Sequence, residues 1–284
     1  EDNMISNEKK RQLQELAINI RIQCMKQFGH LGVGHVGGSL SCCDLMACLY
    51  GEILNVDPKN PGWEERDRFI MSKGHAGPAM YAALALKGYF PEEELLTLNQ
   101  PGTNLPSHTD MNRTPGVDMT TGSLGQGFSS GLGIAMGCQL KGLDNYTYIL
   151  LGDGECDEGQ VWECALFAPA KHLNRVIVFV DFNNRQLDGF IDEVLDLGNL
   201  CEKFETFGWH TVDVADGNDV EQICSAVEAA KRVEEKPSLI VLRTVKGKGC
   251  AFSEGNPLNH NMPVPAETAK EAIEELEKRK ADLA

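Results

Sequence analysis

Short runs of mostly apolar residues alternate along the chain with longer stretches in which apolar residues recur every three or four positions. The runs predict buried strands at 68–71, 146–151, 176–180, 209–214 and 239–243. The periodic stretches predict helices at 8–28, 44–54, 80–86, 125–140, 219–233 and 266–284, and one more after residue 159. Continuously apolar strands separated by helices are typical of parallel sheets covered on both faces. The pattern therefore predicts an α/β fold with a doubly wound, mostly parallel sheet flanked by helices.

The segments between these elements are rich in glycine, proline and asparagine, as at 32–41 and 57–62. The longest of them, 100–122, shows little periodicity, and an irregular stretch of that length inside a compact domain is more often functional than not. The chain contains no internal repeat and no low-complexity linker. We therefore expect residues 1–284 to form a single domain.

Composition excludes several classes of protein. A net charge of −16 argues against general affinity for nucleic acid or for anionic membranes. No apolar run approaches the roughly 18–20 residues of a membrane span, and the N-terminus is too polar for a secretion signal. These features predict a cytoplasmic protein that binds neither nucleic acid nor membranes.

The positions of the ten cysteines indicate neither a disulfide framework nor a zinc site. Most of them lie in apolar, helix-like stretches, and no Cys-x-x-Cys pair occurs. Reduced cysteines used as small core residues account for them better. Cys156 lies within a glycine-rich turn, and we interpret it as a tolerated small residue rather than a catalytic thiol.

Polar residues follow two of the predicted strands. Asp153, flanked by two glycines, follows the strand at 146–151, and Asn183 follows the strand at 176–180. Parallel strands end at the same edge of a sheet, so these two side chains can converge. A carboxylate, an amide oxygen and a nearby backbone carbonyl suit Mg²⁺ or Ca²⁺ with room for phosphate oxygens. The flanking glycines let the backbone approach those oxygens closely.

Four of the seven histidines lie in predicted loops rich in glycine, proline, serine or asparagine; they are His35, His75, His108 and His260. A single histidine is more often a surface residue or a hydrogen-bonded core residue than a functional one. Four that can share one edge of a sheet are harder to explain in that way. Imidazoles hydrogen-bond to sugar hydroxyls and carbonyls and titrate near neutrality, which indicates a substrate-binding role.

Gly152-Asp153-Gly154, followed further along by Asn183-Asn184, resembles the thiamine diphosphate binding motif. The longer strings at 152–163 and 186–189 narrow the resemblance to the transketolase family. Taken alone, Gly-Asp-Gly is a weak signal for this motif, because glycine turns around an aspartate are common. The resemblance implies the diphosphate-binding domain of the thiamine diphosphate fold. It also implies Mg²⁺ or Ca²⁺ held by Asp153, Asn183 and the carbonyl of Arg185, with Gly154 on the diphosphate.

The same resemblance assigns the histidines. It implies that His35 contacts substrate oxygens, that His75 lies beside the diphosphate and the reacting carbon, and that His108 faces the donor sugar. His260 corresponds to the histidine near the cofactor and the first two substrate carbons, although its surroundings depart most from the family pattern.

The loop 121–127 and Glu158 each have a functional and a structural interpretation. Residues 121–127 resemble the family's cofactor loop, which places Gly122, Ser123 and Leu124 near the cofactor; the same loop can also be a helix start that needs close backbone approach. Glu158 matches a glutamate that links the two active sites of a dimer. Alternatively, it stabilises the N-terminus of the following helix.

The resemblance spans this chain but only the first of three domains of a full-length transketolase. It implies an N-terminal subunit that needs a C-terminal partner subunit carrying the pyrimidine-binding domain, with self-association into an α2β2 assembly. The implied reaction moves a two-carbon ketol unit from a ketose phosphate, or an analogous sugar, to an aldose acceptor. The identity of the donor and acceptor sugars stays open.

Two other functions are compatible with the cofactor motif. One is a fragment related to deoxyxylulose-phosphate synthase, against which Glu158-Gly159 and the string at 186–189 favour a transketolase. The other is a non-catalytic subunit that binds thiamine diphosphate as a scaffold. The four loop histidines argue against it, because cofactor binding alone needs no groups that face a substrate.

Overall fold

A five-stranded parallel sheet forms the centre of the protein in a computed structural model that describes residues 5–283. In spatial order its strands are β2 (Arg68–Met71), β3 (Thr147–Gly152), β4 (Val176–Phe182), β6 (Ser238–Arg243) and β5 (His210–Val214). All four neighbouring pairs run parallel. The predicted strands and the predicted doubly wound α/β fold are confirmed.

Helices connect the strands and cover both faces of the sheet. They are α1 (Asn7–Leu31), α2 (Val36–Leu40), α3 (Cys43–Cys48), α4 (Gly77–Lys87), α5 (Gln126–Leu140), α6 (Gly159–Ala170), α7 (Ile191–Val194), α8 (Leu200–Phe207), α9 (Val220–Lys231) and α10 (Ala266–Ala281). A single π-helical turn, Leu49–Ile53, continues α3, so the helix predicted at 44–54 is present with a widened second half.

Successive residues of the central strands face opposite sides, and each side has its own buried cluster. Tyr148 and Leu150 of β3 pack with residues of α1, α3, α4, α9 and α10. Ile149 and Leu151 pack instead with α5, α6 and α8. Because both faces are covered, the strands need no polar alternation, and this explains their continuous apolar runs.

Local signals fix several helix boundaries. The Ser6 hydroxyl accepts the Lys9 N–H at the start of α1, and Gly32 ends that helix with φ +84°. Asp219 caps α9 by accepting the N–H groups of Glu221 and Gln222. A side-chain acceptor at the start of a helix and a glycine in the left-handed region at its end are the expected termini.

A short antiparallel ribbon was not predicted from the sequence. Its strands are β1 (Val33–Gly34) and β7 (Met262–Pro263), which pair across most of the chain. Each of these strands has only two residues, which is too short for an alternating pattern to be visible in the sequence. The glycine-rich segment that follows β1 also folds into α2, and α7 and α8 form between β4 and β5, none of which was predicted.

Two further properties concern the described chain as a whole. Between residues 5 and 283, no helix is both long enough and apolar enough to cross a membrane. All ten cysteines are unpaired thiols, and nine of them are buried. Cys156 is one of the buried thiols, and its Sγ lies 3.4 Å from the carbonyl oxygen of Gly152.

Candidate active site

A cavity of about 250 Å³ opens at the carboxyl edge of the sheet, where β2, β3 and β4 end. Most residues expected from the sequence to form a site line it; they are His35, His75, His108, Gly122, Leu124, Asp153, Gly154, Asn183, Arg185 and His260. Two expected residues do not. Ser123 and Glu158 are exposed beside the cavity, and Glu158 is the N-cap residue of α6 without a side-chain capping bond.

Asp153 lies at the end of β3 and is only 2% exposed. One carboxylate oxygen accepts the Gly154 N–H at 2.9 Å, but no hydrogen-bond donor in residues 5–283 reaches the other, Oδ2. Burial, and next the nearby Asp181 carboxylate, raise the pKa of Asp153 to about 7. A buried carboxylate with a free oxygen is unfavourable unless a cation joins it.

The other two expected metal ligands lie on the segment after β4. Asn183 is oriented by its neighbours, because its amide nitrogen donates to Asp181 at 3.3 Å and its Oδ1 accepts the Arg185 N–H at 3.2 Å. The carbonyl of Arg185 accepts a bond from the Lys246 ammonium at 3.0 Å. A cation therefore already contacts one of the three oxygens that we expect to hold a metal.

These observations fit a hard divalent cation held by oxygen atoms. The unpartnered Oδ2 of Asp153 supplies charge, and an amide and a carbonyl complete a set that leaves positions free for phosphate. In residues 5–283 no cluster of three or more His, Cys, Asp or Glu side chains forms a metal site. The expected metal site contains only one such side chain, a carboxylate, together with an amide oxygen and a backbone carbonyl, so it would not form a cluster of that type.

A buried ion pair at the cavity, whose lining includes Lys73, was not predicted from the sequence. Lys73, at the end of β2, and Asp181, near the end of β4, are each 1% exposed and contact one another directly. Burial opposes both charges, yet their attraction prevails, so the pKa of Lys73 is raised and that of Asp181 is lowered. The pair brings a cation and an anion to the site.

Lys246 is a second cation that the sequence did not reveal. It follows β6, lines the cavity, and contacts the Arg185 carbonyl and His260 Nδ1, the latter at 3.4 Å. Burial lowers its pKa to about 8, although Asp153 favours the charged form. Both lysines follow strands of the sheet, as Asp153 and Asn183 do, and parallel strands end at the same edge. The argument that brought Asp153 and Asn183 together therefore applies to the lysines as well.

The four loop histidines form one cluster, with ring centroids 5.0–5.7 Å apart. His35 lies at its centre, 5.5 Å from His75, 5.6 Å from His108 and 5.7 Å from His260. His75 and His260 are 5.0 Å apart. Side chains from four separate loops therefore meet in the lining of the cavity.

The environment favours neutral imidazoles. Burial, followed by Lys73 and the neighbouring histidines, lowers the pKa of His75 well below its usual value. Burial, and then Lys246, lowers the pKa of His260 to about 4. Burial likewise lowers the pKa of His35 and of His108. At neutral pH each ring thus offers one donor and one acceptor nitrogen to a polar ligand.

The histidine cluster predicts an acid-sensitive fold. The folded-state pKa values lie below the unfolded value of about 6.5, so the unfolded chain binds more protons as the pH falls, and stability is lost from about pH 6.5 towards pH 4. We expect urea unfolding to show a smaller loss of stability between pH 7 and pH 5 for His260→Gln than for wild type. The exposed His30 provides the control, and an equal loss in His260→Gln, His30→Gln and wild type would contradict the prediction.

The loop 121–125 forms the wall opposite the metal ligands, between the irregular segment and α5. Gly122 has φ +154° and lies against the His108 ring, where an added Cβ would meet Cδ2 at 3.4 Å. Gly125 begins α5 with φ +79°. Glycine is required at Gly125 because other residues rarely adopt the left-handed region.

A larger cleft of about 790 Å³ lies at the opposite edge of the sheet, near the starts of β3 and β4. Its lining includes Asp144, Arg175 and Lys231. None of the site residues expected from the sequence lies there. We place the functional site in the smaller cavity because strand ends, histidines and the unpartnered Asp153 oxygen converge in it.

Similarity to known proteins agrees with this geometry. Residues 12–280 match the family described as transketolase, thiamine diphosphate binding domain. The chain is 55% identical over 269 residues to the 6-deoxy-6-sulfo-D-fructose transketolase subunit SqwG of Clostridium sp. (strain MSTE9), with 95% of this chain and 98% of that protein covered. It is 36% identical over 246 residues to an apulose-4-phosphate transketolase subunit of Phocaeicola vulgatus, with 87% of each covered.

Solved transketolases share the fold. The crystal structure of transketolase from Campylobacter jejuni matches with a TM-score of 0.85 and 30% identity, over 95% of this chain and 47% of that one. The chain thus spans about half the length of that solved protein.

Proposed function

The chain belongs to the transketolase family, within the part that carries the thiamine diphosphate binding domain, and on that premise we propose that it is the N-terminal, cofactor-binding subunit of a two-subunit transketolase. The complex transfers a two-carbon ketol unit from a ketose donor to an aldose acceptor. The observation that carries this proposal is the meeting of four neutral histidines with Asp153 and Asn183 in one cavity.

The residues that would hold the cofactor come from opposite walls of that cavity. Asp153, Asn183 and the Arg185 carbonyl hold Mg²⁺ (or Ca²⁺), with Gly154 on the diphosphate. Residues 122–124, together with His75 and His260, complete the cofactor site. Lys246 adds a positive charge beside the Arg185 carbonyl. When bound, thiamine diphosphate supplies the carbon nucleophile that no amino-acid side chain offers.

The histidines orient the sugar and move protons. His35, at the centre of the cluster, contacts the substrate oxygens, and His108 faces the donor sugar. His260 Nδ1 lies near the Lys246 ammonium, so its other ring nitrogen is left for the first two substrate oxygens. Neutral imidazoles donate to a developing oxyanion and accept a hydroxyl proton without first losing their own.

In this proposal residues 1–284 form one diphosphate-binding domain that acts together with a partner subunit. A C-terminal subunit supplies the pyrimidine-binding domain, and two copies of each subunit form an α2β2 assembly in which Glu158 links the active sites. Its exposed position beside the cavity suits that contact. Relatives named as transketolase subunits support this arrangement. The reduced cysteines fit a cytoplasmic location.

The alternatives are less well supported. The similar proteins from Clostridium, Phocaeicola and Campylobacter are transketolases or transketolase subunits, which favours this activity over a deoxyxylulose-phosphate-synthase-like fragment. A cofactor-binding scaffold does not need four histidines on one cavity wall. The higher identity to a 6-deoxy-6-sulfo-D-fructose transketolase subunit favours a sulfonated donor over a phosphorylated one.

A donor screen on the reconstituted pair tests the proposal. We expect ketol transfer only when this chain is mixed with Mg²⁺, thiamine diphosphate and its C-terminal partner. Among 6-deoxy-6-sulfo-D-fructose, apulose-4-phosphate and an ordinary ketose phosphate, the sulfonated sugar should have the highest kcat/KM. Its kcat/KM should exceed that of each other donor by at least about tenfold, which is the effect expected from one charge-assisted hydrogen bond.

The control is the chain without its partner. Transfer at full rate by the isolated chain would overturn the two-subunit proposal while leaving the activity intact. Absence of transfer from every donor by a pair that binds thiamine diphosphate would instead favour the scaffold alternative. Preference for a phosphorylated donor would overturn the sulfonated-sugar part alone.

A further inference from the structure

Glu155 is part of the cavity lining and has no role in the function proposed so far. Its side chain is only 2% exposed, although it is a carboxylate. Three donors from three separate segments surround it. Ser72 at the end of β2 donates to Oε1, Gly125 N–H donates to Oε1 at 2.8 Å, and Gly152 N–H donates to Oε2 at 3.0 Å.

The Gly125 contact connects Glu155 to the loop 121–125. The other end of that loop is also anchored, because the Thr121 hydroxyl donates to the carbonyl of Met71 at 2.7 Å. Only Gly122, Ser123 and Leu124 lie between the two anchors. The position of these three residues is therefore set by the bonds at Thr121 and Gly125.

The loop has little freedom to compensate for a lost anchor. An added Cβ at Gly74 would lie 2.9 Å from the Gly122 nitrogen, and one at Gly127 would lie 2.6 Å from the Ser72 Cα. The backbones on both sides thus already touch the end of β2. Close-packed contacts of this kind transmit a displacement instead of absorbing it.

A carboxylate suits this position for two reasons. Its two oxygens accept bonds from all three donors, which a side chain with a single acceptor oxygen would not satisfy. It also lies at the N-terminus of α5, where the unpaired N–H groups and the helix dipole favour negative charge. Gly125 is the N-cap residue of that helix and has no side chain of its own to cap it.

We propose that Glu155 is the positioning residue of the cofactor-binding loop: by holding Gly125 to the ends of β2 and β3, it fixes Gly122 and Leu124 where thiamine diphosphate binds. This inference deepens the proposed function and rests on it for the identity of the ligand. The loop geometry itself does not depend on the ligand. Both oxygens of Glu155 accept bonds from the protein itself, so in this proposal it acts through the loop.

Hydrogen exchange on the full chain, and calorimetry on this chain mixed with its C-terminal partner, test the proposal. In Glu155→Ala the amides of residues 121–126 should exchange at least about tenfold faster than in wild type, since a charge-assisted bond is lost. Exchange in β3 and β4 should change little. Affinity for thiamine diphosphate in the presence of Mg²⁺ should fall about tenfold.

Two further variants separate positioning from general destabilisation. Glu155→Gln keeps one acceptor oxygen for Gly125 and should recover part of both effects. Glu163→Ala removes an exposed glutamate from α6 and should match wild type. If Glu155→Ala does not fold, Glu155→Gln against wild type provides the comparison.

Two results would overturn the inference. One is unchanged exchange at 121–126; the other is faster exchange spread evenly over the sheet with no recovery in Glu155→Gln. Failure of the proposed function gives a different result. The wild-type chain would then bind no thiamine diphosphate even when mixed with its C-terminal partner, while the local change in exchange would still appear.

Discussion

Replacing Asp153 with alanine is expected to weaken Mg²⁺-dependent binding of thiamine diphosphate by more than about a hundredfold, because loss of groups that merely support metal ligands already costs roughly 10–100-fold. Asp153 supplies the only carboxylate of the proposed metal set, and its Oδ2 has no donor within residues 5–283. Neither Asn183 nor the Arg185 carbonyl can replace that charge. Isothermal calorimetry with and without Mg²⁺ measures the effect.

The same substitution should not weaken the fold. Above pH 7 the wild-type protein carries a buried charge at Asp153, whose pKa is raised to about 7 mainly by burial, and the alanine variant does not. Without metal at pH 8, Asp153→Ala should therefore melt no lower than wild type. Asp188→Ala, an exposed aspartate on the segment after Asn183, is the matched control. Unchanged cofactor affinity in Asp153→Ala would refute the metal assignment.

Replacing Lys73 with methionine is expected to destabilise the protein by roughly 3–5 kcal/mol, the usual cost of leaving one member of a buried ion pair alone. Asp181 would keep its bonds from Ser41 and Thr244 but lose the cation that contacts it directly. Urea unfolding at pH 7 measures the change. Lys73→Met combined with Asp181→Asn should recover part of the loss, since no buried charge is then unpaired.

A surface ion pair provides the comparison. Lys141 and Glu64 also form a direct contact, but their side chains are 63% and 61% exposed. Because water screens such pairs, Lys141→Met should cost at most about 1 kcal/mol. Equal losses in Lys73→Met and Lys141→Met would show that burial of the Lys73–Asp181 pair has no energetic consequence.

The sheet was predictable because burial on both faces leaves a strong signal. Residues 176–180 of β4, for example, are apolar one after another. The ribbon of β1 and β7 left no such signal, because two residues have no period. The short helix α2 was hidden by its two glycines, which are poor helix formers and are retained through tertiary packing.

Within the site, side chains that follow strands were the predictable part. Asp153 and Asn183 were found because polar groups in glycine-rich turns are conspicuous after apolar runs, and the histidines because four of them lie in predicted loops. Lys73 and Lys246 obey the same rule, but a lysine in a loop is usually solvated, so nothing in the sequence marked them as buried. The three donors around Glu155 come from distant segments, and only the folded chain brings them together.

The ribbon of β1 and β7 determines when the cavity can be completed during protein synthesis. It ties the segment of His35 to that of His260, and Gly37 N–H also donates to the Asn259 carbonyl at 2.7 Å. Every strand of the central sheet precedes β7 in the chain. A nascent chain on the ribosome can therefore assemble its sheet while the histidine wall is still open. The histidine cluster is complete only after His260 and β7 have been synthesised, so a product truncated before residue 260 would contain the whole sheet without that cluster.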